Sequence, residues 1–262
     1  MAHIQLNFYS ALLKKNTNVM VFIPSIGPDD YLFGSEEKFN LTNMKYQVLY
    51  LLHGSYDDYT SWSRNSKIEC YAQEKCLAVV MPSAENSAYL NMYKGEAYQD
   101  YIANELPEFL ETILPISTRR EDSFIAGLSM GGGGAFRFAL TFPEKYQAAA
   151  SLSGGLHMGI LKNCTHLDKM PENYMRAVYG DKKYSDVIEL LDEVKSEVLP
   201  PLYMICGTED FIFPSNESFY KKALDKKIPI TYETARGVHC WDFWDEHIRD
   251  VLNWMPLKEQ MV

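Results

Sequence analysis

Five short stretches of this chain are apolar on almost every residue, and they are spread at intervals from the first third onward. They are "YQVLYLL" (46–52), "CLAVVMP" (76–82), "SFIAGLS" (123–129), "AAASLSG" (148–154) and "PLYMICG" (201–207), and "IPITYET" (228–234) closes the series. A strand with one wet face alternates polar and apolar residues. A strand apolar on both sides must be covered on both faces, which is the habit of a parallel sheet between layers of helix. Helical patterns lie between the runs: "AYQDYIANELPEFLETI" (97–113), "AFRFALTFPEKY" (135–146), "SNESFYKKALDKK" (215–227) and "DFWDEHIRDVLNWM" (242–255). Pro107 should kink the first of these, and Ser215 has the chemistry of an N-cap for the third. Near the N-terminus, "IQLNFYS" (4–10) and "NVMVFIP" (18–24) read as two further strands, followed by a polar loop over roughly 25–45. Strand and helix in alternation predict an α/β fold with a central, mostly parallel sheet of about eight strands flanked by helices. Residues 156–198 carry helical patterns and no strand, so a small helical cap inserted into a single domain, 1–262, is expected.

The sharpest local signal is "FIAGLSMGGGGAF" (124–136). It begins as a buried strand, ends as a helix and has four consecutive glycines, Gly131–Gly134, between. A phosphate cradle would want a Gly-Lys-Ser/Thr sequence after the glycines, and none follows. Gly127-Leu128-Ser129-Met130-Gly131 instead matches G-x-S-x-G, in which a serine sits on a tight strand-to-helix turn. The residues two before and two after that serine come close together, and glycine permits the approach. Gly131 is therefore expected to let the turn close, and Gly132 to let the new helix pack near the sheet. Gly133 and Gly134 have no role in the motif.

A serine hydroxyl needs a base to become a nucleophile, and the base needs a carboxylate to orient it. On an α/β-hydrolase scaffold the chain order is serine, acid, histidine. His239, in "ARGVHCWDFW", lies in a glycine-containing loop before the last helix and suits the base. His157 and His166 fall in the cap, and His247 falls within a helix as a surface or packing residue. Asp210, in "CGTEDFIF" at the end of a buried strand, suits the acid better than Glu209, because neighbouring residues point different ways and Asp210 leads into an apolar stretch. The oxyanion should be held by the amide of Met130, next to the serine, and by that of Ser55 after the His-Gly turn of "LLHGSYDDYTSW". His53 precedes that glycine and reads as structural. Aromatic residues follow each of these loops. Trp62, Tyr98, Phe211 and Trp241 are the candidate substrate contacts, with Tyr56, Tyr59 and Phe213 nearby.

With "LYLLHGSYDDYTSW", "FIAGLSMGG", "CGTEDFIF" and "GVHCWDFW" in that order, the chain resembles the esterase D-like branch of the α/β-hydrolases over roughly residues 5–256. That group holds tributyrin, feruloyl and acetyl-xylan esterases and S-formylglutathione hydrolases. The resemblance is strongest to the tributyrin and feruloyl esterase type. It implies a carboxylic ester hydrolase with Ser129 as nucleophile, His239 as base and Asp210 as orienting acid, acting without metal or cofactor on a small-molecule or carbohydrate-linked ester. The alternatives are a thioesterase of the S-formylglutathione type, whose usual loop lacks the histidine of "LLHGS", an acyltransferase, and a binding protein on an inactive hydrolase fold.

Composition narrows the partners. Lys and Arg number 25 against 35 Asp and Glu, for a net charge of −10, which disfavours nucleic acid and anionic membrane surfaces. No window approaches a membrane span. The five cysteines form no CxxC pair, and "MAHIQLNFYSALLKK" lacks a basic region followed by a long apolar one. A cytoplasmic location is the expectation.

Overall fold

The computed structural model describes residues 1–34, 39, 45–161, 170–182, 185–194 and 198–258. His166 and Cys164 of the expected cap, and part of the expected 25–45 loop, lie outside them. Eight strands make one sheet: β1 (Ala2–Ser10), β2 (Lys15–Ile23), β3 (Val48–Leu52), β4 (Ala78–Pro82), β5 (Ser123–Leu128), β6 (Ala148–Leu152), β7 (Leu202–Gly207) and β8 (Ile230–Ala235). Their order is β1-β2-β4-β3-β5-β6-β7-β8. The first two pairings, β1 with β2 and β2 with β4, are antiparallel, and all the others are parallel. This is the mostly parallel sheet of about eight strands that the apolar runs predicted.

The described helices are α1 (Pro28–Phe33), α2 (Ser61–Asn65), α3 (Ile68–Glu74), α4 (Tyr98–Asp100), α5 (Leu106–Ile113), α6 (Met130–Thr141), α7 (Glu172–Tyr179), α8 (Val187–Leu190), α9 (Phe213–Asp225) and α10 (Trp241–Trp254). Strands β3 to β7 are buried along their whole length, whereas the edge strand β8 alternates between half-buried and exposed residues. Successive side chains of the central strands serve opposite faces. Val48, Tyr50 and Leu52 pack with Phe136, Phe138 and Phe219 on one side, and Leu49 and Leu51 pack with Ile68, Trp244 and Ile248 on the other.

Two expectations shift when the helices are seen. The 97–113 segment is interrupted by a π-helical turn, Tyr101–Glu105, between α4 and α5. Pro107 lies two residues beyond it and has no N–H to return to the preceding turn, which suits a widened helix there. Ser215 is not an N-cap. Helix α9 begins at Phe213 with a proline in its first turn, and Ser215 is buried within it, its hydroxyl accepting the His157 amide at 2.7 Å.

The last two glycines of the run also acquire neighbours. A Cβ built on Gly133 would stand 2.7 Å from the carbonyl oxygen of Gly155. One built on Gly134 would stand 2.5 Å from Cδ2 and 3.1 Å from Cβ of Tyr89. Tyr89 is fully buried, has a backbone φ of 57°, and donates its hydroxyl to the His53 carbonyl at 2.8 Å, so it cannot swing aside. Gly134→Ala should destabilise by about 1–3 kcal/mol from overpacking, even after a helix-propensity gain of about 1 kcal/mol. Thermal unfolding of the variant checks this, and an unchanged or raised Tm would show that the slot is loose.

Candidate active site

Ser129 stands between β5 and α6 with φ 53° and ψ −117°, a conformation that costs a non-glycine residue about 1–3 kcal/mol. Its neighbours hold it there. The Ser129 amide donates to the Leu152 carbonyl at 2.9 Å, and the Ser129 carbonyl accepts from Gly133 and Gly155, each at 3.1 Å. Close approach explains both motif glycines. A Cβ on Gly127 would lie 2.5 Å from the Gly131 carbonyl, and one on Gly131 would lie 2.5 Å from the Leu52 carbonyl oxygen and 2.6 Å from that of His53.

The ends of β7 and β8 are stitched together by backbone. Thr208 donates to Ala235 at 2.9 Å and Glu209 to Gly237 at 3.0 Å. This brings the loop after β7 against the loop before α10. Glu209 turns outward, half exposed, to meet Arg236 at 3.0 Å. Asp210 turns inward, and its carboxylate is fully buried. One Asp210 oxygen accepts the Ile212 amide at 3.0 Å, and the carboxylate meets His239 Nδ1 at 2.9 and 3.1 Å. His239 Nε2 lies 2.9 Å from Ser129 Oγ. A carboxylate only accepts, so His239 Nδ1 carries the proton and Nε2 is left as the acceptor for the serine hydroxyl. The rings of Phe211 and Trp244 pack on the imidazole at centroid distances of 4.7 and 4.8 Å.

Met130 is the first residue of α6, so its amide is one of those a helix start leaves without an intrahelical acceptor. Ser55 lies on the loop after β3, which passes directly beside the serine: a Cβ on Gly54 would be 3.5 Å from Ser129 Cβ. That loop is pinned on both sides. Asn86 Oδ1 accepts the Tyr56 amide at 2.7 Å. His53 is buried, donates from Nδ1 to the Gly54 carbonyl at 2.7 Å, and accepts the Ala84 amide on Nε2 at 2.9 Å. Burial lowers its pKa, and the accepting Nε2 fits the neutral ring. His53 is thus a strut between loops. His247 pairs with Asp250 at 2.7 Å on α10, and His157 contacts Ser218 at 2.8 Å.

Ser129 opens into a cavity of about 520 Å³. Ser55, Met130, Phe211, His239 and Trp241 all line it. Trp62 and Tyr98 do not, and the expectation that they touch substrate is corrected. Trp62 is buried a layer deeper, donating Nε1–H to the Leu52 carbonyl at 3.0 Å and meeting the edge of Trp241 at 5.2 Å. Tyr98 is buried near β2, its hydroxyl bonded to Lys15 Nζ at 2.8 Å. The described part of 156–198 supplies Met158, Met170, Met175, Tyr179 and Val187 to the wall, and α6 supplies Arg137. Sequence reading missed these residues, as well as Asn86 and Trp244. For Trp244 there was a signal, since it lies one helical turn after Trp241. No group of three or more His, Cys, Asp or Glu that could hold a metal occurs among the described residues, and no described helix is long and apolar enough to cross a membrane.

Comparison with known proteins gives a consistent set. The family model "Esterase" matches residues 10–194. An acetyl esterase of Caldicellulosiruptor saccharolyticus is 35% identical over 267 aligned positions, covering 97% of this chain and 98% of that protein. Among solved structures, the substrate-bound fluorophosphonate-binding serine hydrolase F of Staphylococcus aureus superposes with a TM-score of 0.85 at 32% identity, covering 98% of this chain and 99% of that one. The S-formylglutathione hydrolase of Staphylococcus aureus gives a TM-score of 0.80, also at 32% identity, covering 97% and 98%.

Proposed function

This chain belongs to the esterase family and is a serine carboxylesterase, and from that premise we propose that it hydrolyses short acyl or aryl esters through Ser129, His239 and Asp210. The observation that carries the reading is the unbroken pair of hydrogen bonds from His239, 2.9 Å to Ser129 and 2.9 Å to Asp210, beside an open cavity. His239 Nε2 takes the proton of Ser129 as Oγ attacks the ester carbonyl. The Met130 and Ser55 amides meet the charge that develops on the carbonyl oxygen. His239 then gives its proton to the departing alcohol, leaving the acyl group on Ser129. Water enters along the same path and attacks the acyl carbonyl as His239 takes its proton; the acyl–Oγ bond then breaks, His239 returns the proton to Ser129 Oγ, and the acid leaves. Asp210 keeps Nδ1 protonated and stabilises the imidazolium that forms in each half. Residues 156–198 act as a helical cap of a single domain, 1–262, over the bound ester.

Kinship with an acetyl esterase supports a short acyl group. The volume of about 520 Å³ exceeds what an acetyl group needs and leaves room for an aryl or larger partner. Kinship with an S-formylglutathione hydrolase keeps a thioester reading in view. The test is a panel of acetyl, butyryl and feruloyl esters, with and without attached xylan fragments, run beside S-formylglutathione. Turnover of an acetyl or butyryl ester at kcat/KM above that of the thioester is the expected result. A thioester preference of tenfold or more would overturn it.

A further inference from the structure

One wall of the cavity is a single face of α6. Ser129, Gly133 and Arg137 are spaced four residues apart, so they share that face, and all three line the cavity. Gly133 contributes no side chain, and a Cβ there would meet the Gly155 carbonyl oxygen at 2.7 Å. Arg137 is only 5% exposed. Its terminal nitrogens donate to the carbonyl and the hydroxyl of Ser185. Its Nε is buried with no hydrogen-bond partner among the described residues. Among the described residues, no carboxylate lies within ion-pair distance of the guanidinium. Burial lowers its pKa, with Tyr179, Asp186 and Glu189 pulling the other way. An arginine remains charged in such a place, and a buried charge without a counterion is costly. Met158, Met170, Met175, Tyr179, Ser185 and Val187 also line the cavity. Bracing Ser185 uses one N–H on each terminal nitrogen and leaves the Nε–H without an acceptor among the described residues.

We propose that Arg137 is a specificity-determining residue that recognises a carboxylate carried by the substrate, on the part of the ester lying against Met158, Met170, Met175, Tyr179 and Val187. The proposal rests on the esterase reading above, since Ser129 must attack the other end of the same molecule. Eight residues of helix rise about 12 Å, and a helical side chain leans back toward the N-terminus, so a half-ester of a dicarboxylic acid of about four to six carbons spans the gap. The carboxylate can sit on the acyl side or on the alcohol side.

Two pairs of esters separate those sources: mono-4-nitrophenyl glutarate against its methyl ester, and 4-acetoxybutanoate against its methyl ester. In at least one pair the acid should exceed the neutral ester in kcat/KM by about 10- to 100-fold, mainly through KM, as a charge-assisted hydrogen bond would give. Arg137→Met should bring that ratio close to one, and Arg137→Lys should restore part of it. Equal rates for acid and neutral ester in both pairs would overturn the proposal, as would a ratio that survives Arg137→Met. Calorimetry with glutarate alone reads the same contact without turnover. Binding to the wild type that weakens at least about tenfold in Arg137→Met supports the assignment, and no binding, or equal binding, overturns it. Glutarate binding in a protein that turns over none of the four esters would count against the esterase reading and leave the Arg137 contact standing.

Discussion

Ser129→Ala is expected to reduce kcat on 4-nitrophenyl acetate by about 10⁴- to 10⁶-fold, the scale seen when a nucleophile is removed from a cooperating triad. The fold should survive. Among the described residues the Ser129 hydroxyl hydrogen-bonds to His239, whereas the strained backbone is held by its amide and carbonyl bonds to Leu152, Gly133 and Gly155, which alanine keeps. The Tm should therefore move by no more than a few degrees. Labelling by a fluorophosphonate probe should disappear with the activity. A variant that retained most of its kcat, or that still took up the probe, would remove Ser129 from the mechanism. Asp210→Asn makes a useful companion. The amide can still accept from Ile212, but it no longer favours the His239 tautomer that leaves Nε2 free for the serine. A loss of about 10⁴ in kcat is the scale for that fault in related triads.

Gly131→Ala should have the largest effect on stability. The added carbon would meet the carbonyl oxygens of Leu52 and His53 at 2.5 and 2.6 Å. These are backbone atoms at the end of β3, a fully buried strand paired on both sides with β4 and β5, so they cannot yield as the tip of a side chain would. The helix must shift, or the strand end must move and carry Gly54 and Ser55 with it. A cost of more than about 4 kcal/mol follows from overpacking against rigid backbone. For a domain of this size that is a fall of about 10 °C or more in Tm. Activity at low temperature should fall as well, because Met130 and Ser55 sit on the two elements being forced apart. A Tm within about 3 °C of the wild type would show that this contact is far softer than the distances imply. Gly134→Ala offers the comparison, since it meets a side chain rather than two backbone carbonyls.

The sequence was most legible where the signal was local. A strand buried on both faces must be apolar throughout, so β3 to β7 were visible as runs. G-x-S-x-G is a steric requirement within five residues, so Ser129 stood out. Asp210 and His239 were legible because each sits on a loop directly after a recognisable strand, in the order serine, acid, histidine. The boundaries were less legible. The start of α9 was placed two residues late, because Pro214 is pre-organised for a first helical turn while Ser215 merely has the chemistry of a cap. The widened turn before Pro107 was read as a simple kink.

The cavity is another matter. Trp62, in α2, and Trp241, at the start of α10, both follow loops that border the serine, yet Trp241 lines the cavity and Trp62 stands behind it. Tyr98 faces Lys15, 83 positions away in the chain. Arg137 looks like an ordinary helix residue, and only the tertiary placement of Met158, Met170, Met175, Tyr179, Ser185 and Val187 around the same cavity makes it part of a wall. By itself, the sequence determined the sheet, the sharp turn at Ser129 and the order of the three candidate catalytic residues, because each depends on a few neighbours along the chain. Which side chains line the cavity, and which merely support them, was decided by the tertiary structure, because that depends on how elements distant in sequence pack against one another.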